Sequence, residues 1–67
     1  MRISRIKLVT EMMKQDITQV KLAQISGVSR TTICFVKNGK SCSSVTAGKI
    51  ARALNVPVEQ LIETEGE

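Results

Sequence analysis

The amino-acid sequence predicts an all-helical (all-α) fold of five short helices. Three observations favour this fold class: apolar residues recur at intervals of three and four, capping residues such as Ser, Thr and Gly stand between the apolar segments, and no segment alternates convincingly with a period of two. The 67 residues are interpreted as one small domain, 1–67, whose core yields only about 3–5 kcal/mol of net stability.

Apolar spacing and capping residues predict the first two helices. The first covers residues 4–15, and its core-facing stripe comprises Leu8, Val9, Met12 and Met13. Thr18 is expected to cap the second helix, because its hydroxyl accepts the free N–H groups two and three residues further on. That helix turns Leu22 and Ala23 inward and ends at Gly27, which adopts the left-handed conformation at low cost.

The third predicted helix follows Ser29, its cap, and ends at the Asn38–Gly39 turn, with Val28, Ile33 and Val36 as its buried stripe. Ser43 or Ser44 caps the fourth helix, whose inward residues are Ala47, Ile50, Ala51 and Leu54. Pro57 suits the first turn of a fifth helix, because that position needs no N–H donor. Three apolar residues hold this helix to the core: Val58, Leu61 and Ile62.

Charge is unevenly distributed along the chain. Residues 1–55 contain ten basic and two acidic residues, a net charge of +8, whereas residues 56–67 contain four Glu and no basic residue. This basic body suggests a polyanionic partner, with ordinary solvated surface charge as the alternative. The acidic tail, 63–67, is expected to fray. No apolar run approaches the roughly 18 residues of a membrane span, and no signal-peptide pattern opens the chain, so we expect a cytoplasmic protein without a membrane partner.

The sequence favours neither a metal site nor an enzyme. It contains no His, and Cys34 and Cys42 are too few and too far apart for a four-ligand site. A bridge between the two cysteines is possible in principle, but we interpret them as free thiols because disulfides are rare in the cytosol. No evident acid pair or Gly-rich phosphate loop occurs, so we expect no catalysis, no cofactor and no bound metal.

The segment TQVKLAQISGVSRTTICFVKNG resembles the helix-turn-helix of phage repressors, Cro proteins and Xre-type bacterial regulators. The matched positions are Thr18, Gln19, Leu22, Ala23, Gly27, Val28, Ser29, Ile33, Asn38 and Gly39. The resemblance continues through GKIARALNVPVEQLI and covers roughly residues 8–62. It implies a lambda-repressor-like DNA-binding domain, in which the second and third helices form the motif and the third enters the major groove of DNA.

A third helix with its apolar stripe inward must point four residues outward: Arg30, Thr31, Cys34 and Phe35. By resemblance these are base-reading positions. Arg30 can donate two hydrogen bonds to guanine, Thr31 can contact a base edge, and Phe35 can pack on a thymine methyl. Alternatively, Phe35 completes the core or a dimer contact, Thr32 bonds locally to backbone, and Cys34 is a redox sensor, although no neighbouring His or metal activates it.

The same resemblance implies contacts to the DNA backbone from Gln19, Ser29, Asn38, Lys40 and Ser43. Backbone N–H groups and short polar side chains at helix starts suit phosphate oxygens. The alternatives are solvation for Lys40, and capping or turn formation for Gln19 and Asn38. Many family members carry Glu where Lys37 stands, paired with an Arg of the first helix, so a charge-swapped Glu11–Lys37 pair is a hypothesis here.

We therefore predict a regulator of transcription, a repressor, that binds double-stranded DNA sequence-specifically. One such domain contacts about four or five base pairs, too few for typical specific affinity, so a homodimer on a palindromic operator is expected, with a monomer that pairs only on DNA as the rival. An apolar C-terminal patch of Val56, Val58 and Ile62 is the expected dimer interface. The alternative is an antitoxin, or another protein-interaction module, on the same fold.

Overall fold

The computed structural model describes residues 2–62, which form four α-helices followed by one turn of 3₁₀-helix. The elements are α1 (Arg5–Lys14), α2 (Gln19–Ser26), α3 (Arg30–Lys37), α4 (Ser44–Ala53) and the 3₁₀ turn Val58–Gln60. Across these described residues there is no strand, and an isolated antiparallel bridge joins Ile3 to Ile62. The predicted all-helical fold is confirmed.

Each helix begins where a hydroxyl can accept a hydrogen bond from a backbone N–H three residues further on. The capping residues are Ser4, Thr18, Ser29 and Ser43. The last three were predicted, and Ser43 rather than Ser44 is the cap of α4. Gly27 ends α2 with φ 73° and ψ 13°, a left-handed conformation that costs a residue with a Cβ about 1–2 kcal/mol. Asp16 and Asn55, with φ of 54° and 60°, follow α1 and α4, and both residue types tolerate positive φ better than most.

The core lies between the four helices. Its buried side chains are Ile3, Leu8, Met12, Leu22, Val28, Ile33, Val36, Ala47, Ile50, Ala51, Leu54 and Leu61. Helix α2 packs against both α3 and α4, and α1 packs against α3. Two positions of the predicted stripe of α1 differ: Val9 is half-buried, and Met13 is 75% exposed. Successive helical residues are rotated by about 100°, so burying Met12 turns Met13 away from the core.

The predicted fifth helix is a single 3₁₀ turn, so the number of α-helices in the described residues is four. Pro57 is extended, with φ −65° and ψ 148°, and precedes the turn rather than opening a helix. After the turn, the Leu61 carbonyl accepts a hydrogen bond from the Ser4 N–H at 2.6 Å. A longer helix would need this carbonyl for its own bonding. The acidic tail predicted to fray, 63–67, lies outside the described residues.

The two ends of the described chain close the core together. Ile3 is fully buried beside the bridge to Ile62, and the Lys7 ammonium donates to the Ile62 carbonyl at 3.3 Å. A second link joins α1 to α4, because the Gln15 side-chain amide donates to the Leu54 carbonyl at 2.6 Å. All of these contacts connect segments that are distant in sequence, and the bridge to Ile62 makes Ile3 part of the fold.

Replacing Ile3 by Ala tests this closure. We expect Ile3→Ala to lower the free energy of unfolding by about 2–4 kcal/mol, because it removes buried methyl groups and leaves a cavity. Ile6→Ala is the matched control: Ile6 is 77% exposed, so its loss should change stability by no more than about 0.5 kcal/mol. Urea unfolding followed by circular dichroism measures both. Equal, small effects would show that the N-terminal residues lie outside the core.

Candidate nucleic-acid interface

Helix α3 presents outward the four residues predicted to read bases. Val28 before the helix and Ile33 and Val36 within it are buried, and these contacts determine which side of α3 faces solvent. The four outward residues, Arg30, Thr31, Cys34 and Phe35, are all exposed. Phe35 is 54% exposed, so the alternative that it completes the core is wrong, whereas a role in a dimer contact stays a prediction.

A short turn sets the position of α3 relative to α2. Gly27 supplies the left-handed conformation, and the Ser26 hydroxyl accepts a hydrogen bond from the Val28 N–H at 3.2 Å. The same hydroxyl donates to the Ala23 carbonyl at 3.5 Å. The role of Ser26 was not predicted, although a Ser next to a turn Gly is a recognisable signal for a hydroxyl-stabilised turn.

The caps of α3 and α4 share one arrangement. At α3, the Thr32 N–H donates to the Ser29 hydroxyl oxygen at 3.2 Å, and that hydroxyl donates to Thr32 Oγ1 at 2.9 Å. At α4, Ser43 and Thr46 form the same two bonds, both at 3.1 Å. The serine protons are therefore engaged within the caps. The first-turn backbone N–H groups other than those of Thr32 and Thr46 remain available to an anion at these helix starts.

A shallow groove of about 290 Å³ brings together three of the predicted contact residues, Phe35, Lys40 and Ser43. The loop that forms its rim is held in place at two points: the Lys40 N–H donates to the Phe35 carbonyl at 3.0 Å, and Arg2 Nε donates to the Gly39 carbonyl at 3.2 Å. Phe35, which is expected to contact a base, therefore lies next to Lys40 and the start of α4, which are expected to contact phosphate.

Two other predicted contact residues lie outside this groove. The side-chain amide of Asn38, the residue that ends α3, donates to the Cys34 sulfur at 3.5 Å, which links a turn residue to the outward face. Gln19, the first residue of α2, lines a second groove together with Lys37. The grouping of Gln19 with Lys37 was not predicted from the sequence.

The hypothesis of a Glu11–Lys37 ion pair is wrong. Glu11 Oε2 lies 3.5 Å from the Lys14 ammonium, one turn further along α1. Within the part of the chain that the structure describes, no ion pair joins Glu11 to Lys37. A side chain one turn away on the same helix reaches Glu11 without any tertiary alignment.

The residues predicted to form a dimer interface are partly engaged in the fold. Val56 and Val58 pack against the core, and Ile62 is half-buried beside Ile3. The most exposed large apolar side chains of the described residues lie elsewhere: Ile6, Met13 and Val45. The C-terminal patch therefore offers less free apolar surface than its sequence suggests.

Residues 2–62 contain no group of three or more His, Cys, Asp and Glu side chains that is arranged to hold a metal ion. Cys34 and Cys42 are both free thiols, Cys34 exposed and Cys42 half-buried. None of the described helices combines the length and the apolar character that crossing a membrane requires.

Comparison with known families shows to which family this fold belongs. A family model described as helix-turn-helix matches residues 10–61. The chain belongs to the Xre/Cro-like helix-turn-helix family. This is a family of DNA-binding regulators, generally without enzymatic activity. The resemblance predicted from the segment between Thr18 and Gly39 is confirmed, and α2 and α3 are the two helices of the motif.

Two solved structures are similar to this helix-turn-helix chain: PhpD with cadmium complexed with hydroethylphosphonate, and native PhpD with cadmium atoms. Each matches with a TM-score of 0.83 and 24% identity over 100% of this chain and 15% of the PhpD chain. The chain thus spans a small part of PhpD, and a likeness at this identity shows the fold alone. No curated protein matches the chain.

The different burial of the two faces of α3 predicts a large loss of stability for a substitution on the inner face and a small change for one on the outer face. Ile33→Ala should lower the free energy of unfolding by about 2–5 kcal/mol, because Ile33 is fully buried. Phe35→Ala should change it by less than about 1 kcal/mol, because half of this side chain already faces water. Chemical denaturation of both variants is the measurement. A Phe35→Ala loss as large as that of Ile33→Ala would mean that Phe35 is buried in solution.

Proposed function

We propose that this helix-turn-helix protein is a sequence-specific regulator of transcription in the cytoplasm, acting as a repressor. It binds double-stranded DNA as a homodimer on a palindromic operator. The outward face of α3 is the observation that carries the proposal. Polar and aromatic side chains occupy that face, and buried Ile33 and Val36 hold it in one orientation. A repressor needs only to bind its operator, and a surface that binds DNA is sufficient for that role.

Base recognition is assigned to the four outward residues of α3. Arg30 donates a bidentate pair of hydrogen bonds to the O6 and N7 atoms of guanine. Thr31, in the first turn of α3, contacts a neighbouring base edge. Phe35 packs against a thymine methyl, with Cys34 beside it. These residues occupy the first half and middle of α3, the part of a recognition helix that faces base edges.

Backbone contacts are assigned to the surfaces on either side of α3. Gln19 and the start of α2 contact one phosphate, and Asn38, Lys40 and the start of α4 contact the next stretch of backbone. Ser29 and Ser43 act through the N–H groups of the turns that they cap, since their hydroxyl protons are engaged by Thr32 and Thr46. Phosphate contacts of this kind position the protein without reading sequence.

Two-fold pairing supplies the affinity that one domain lacks. A dimer doubles the contacts and places two copies of α3 about 34 Å apart, one turn of DNA. Val56, Val58 and Ile62 are proposed as the interface, each contributing the part of its surface that the core leaves exposed. The alternative of an antitoxin or other interaction module does not exclude DNA binding, and the exposed apolar side chains Ile6 and Met13 on α1 favour a protein contact in addition.

Arg30→Ala should lose discrimination between DNA sequences more than total affinity. The missing guanine contact costs about 1–3 kcal/mol at one base pair. Binding of wild type and variant is compared on a selected site and on scrambled DNA by fluorescence anisotropy, with Arg52→Ala in α4 as the matched control. Equal losses on both DNAs would place Arg30 on phosphate and contradict the assignment.

Lys40→Ala should weaken binding to all sequences alike. The slope of log K against log salt concentration should flatten by about one, because one phosphate contact is lost. Lys14→Ala is the matched control, since Lys14 lies on α1 and pairs with Glu11; its slope should equal that of the wild type. An unchanged slope for Lys40→Ala would make Lys40 an ordinary solvated side chain.

The wild type should sediment as a dimer, either free at micromolar concentration or on a palindromic duplex. Ile62→Glu should shift it towards monomer, because a charge at the interface must be desolvated. Met13→Glu, an exposed apolar position on α1, is the control and should leave the dimer intact; circular dichroism verifies that both variants are folded. A wild type that is monomeric both free and on DNA would refute the dimer.

A further inference from the structure

Helix α1 has a second apolar surface that the core does not use. Ile6 and Met13 are among the most exposed large apolar side chains of the described residues. They lie seven residues apart, two helical turns, and therefore on the same side of α1. Half-buried Val9 lies between them on this side. Ile6, Val9 and Met13 form what we call the outer face of α1.

Two adjoining grooves run along this outer face. The larger, of about 980 Å³, is lined by Ser4, Arg5, Ile6, Lys7, Val9, Thr10 and Lys37. The smaller, of about 310 Å³, extends past Met13 to the start of α2 and shares Val9 and Lys37 with the first. The grooves thus follow the whole of α1, whose length is about 15 Å. A helix of about the same length from another protein fits along these grooves.

The larger groove is positively charged. Arg5, Lys7 and Lys37 line it, and among the residues that the structure describes no Asp or Glu does. The Lys7 ammonium donates to the Ile62 carbonyl at 3.3 Å, so we assign the charge of the groove to Arg5 and Lys37. Asp16 lies in the smaller groove, at the opposite end of α1. Basic side chains therefore lie beside the apolar residues Ile6 and Val9 of the larger groove.

We propose that the outer face of α1 docks an acidic amphipathic helix of a partner protein. Its apolar residues, spaced three and four apart, contact Ile6, Val9 and Met13, and its Asp or Glu side chains face Arg5 and Lys37. This is the helix-in-groove mode of recognition. A second copy of the chain fits poorly, because a two-fold contact would oppose the same cations to one another. The proposal does not depend on DNA binding.

The probe is a synthetic helical peptide with Leu at i, i+3 and i+7 and Glu at the flanking positions. Titration into the full chain, followed by amide chemical shifts, should show changes concentrated in α1. Ile6→Ser and Met13→Ser should each weaken binding about tenfold, since anchor side chains dominate such contacts. Both side chains are exposed, so both variants should fold. Val45→Ser, an exposed apolar position on α4, is the matched control and should bind like the wild type.

Four results would overturn the proposal. Equal binding of a peptide with the same composition but scrambled order would show that the interaction is only a general electrostatic attraction to the basic residues 1–55. Stronger, Ile6-dependent binding to vesicles of anionic lipid would identify a lipid surface instead. Self-association that disappears in Ile6→Ser would identify a second copy. A tenfold or greater gain in peptide affinity in the E63Q/E65Q/E67Q variant would identify the acidic tail of the chain itself as the occupant.

Discussion

Burial of Ile33 and Val36 is the constraint on which the rest of this structure depends. These two side chains lie three residues apart on α3, and together with Val28 they fill the space against the rest of the core. An α-helix that buries one such stripe has no freedom to rotate, so Arg30 and Phe35 must face outward. The composition of α3, poor in strong helix formers, is consistent with a helix stabilised by tertiary packing rather than by propensity.

The two ends of the described chain complete the core against which α3 packs. Ile3 and Leu61 are fully buried, and the Ser4 N–H donates to the Leu61 carbonyl. A domain of this size has little stability to lose. Each of these contacts therefore contributes to keeping α3 and its flanking loop in one arrangement. The bond from Arg2 to the Gly39 carbonyl extends the support to the loop that carries Lys40.

The sequence predicted what depends on local chemistry. Caps such as Thr18 and Ser29, the Gly27 turn and the inner stripe of α3 all follow from neighbours within four residues. The outward direction of Arg30 and Phe35 follows from the same helical period.

Contacts between distant segments were not predictable in this way. Ile3 lies between the polar residues Arg2 and Ser4, and it is buried in a core made largely of residues that are distant in sequence. After the 3₁₀ turn, the Leu61 carbonyl accepts a hydrogen bond from the Ser4 N–H, a contact that the local pattern of the expected fifth helix does not record. Phe35 lies near Lys40, and Gln19 lines a groove with Lys37. Both arrangements depend on the conformation of loops and on how the helices cross, which a local sequence pattern does not indicate. The ion pair of Glu11 with Lys14 is local by contrast, since the two residues lie three apart on α1.

The measurement that tests the central claim most directly is selection of bound duplexes from random DNA by the wild-type protein. If the outward face of α3 reads bases in a two-fold dimer, the enriched sequences converge on a palindrome whose half-site centres lie about 10 base pairs apart. Convergence on a single, non-palindromic half-site would contradict the two-fold arrangement. Binding without any enriched sequence would contradict base reading by α3 itself.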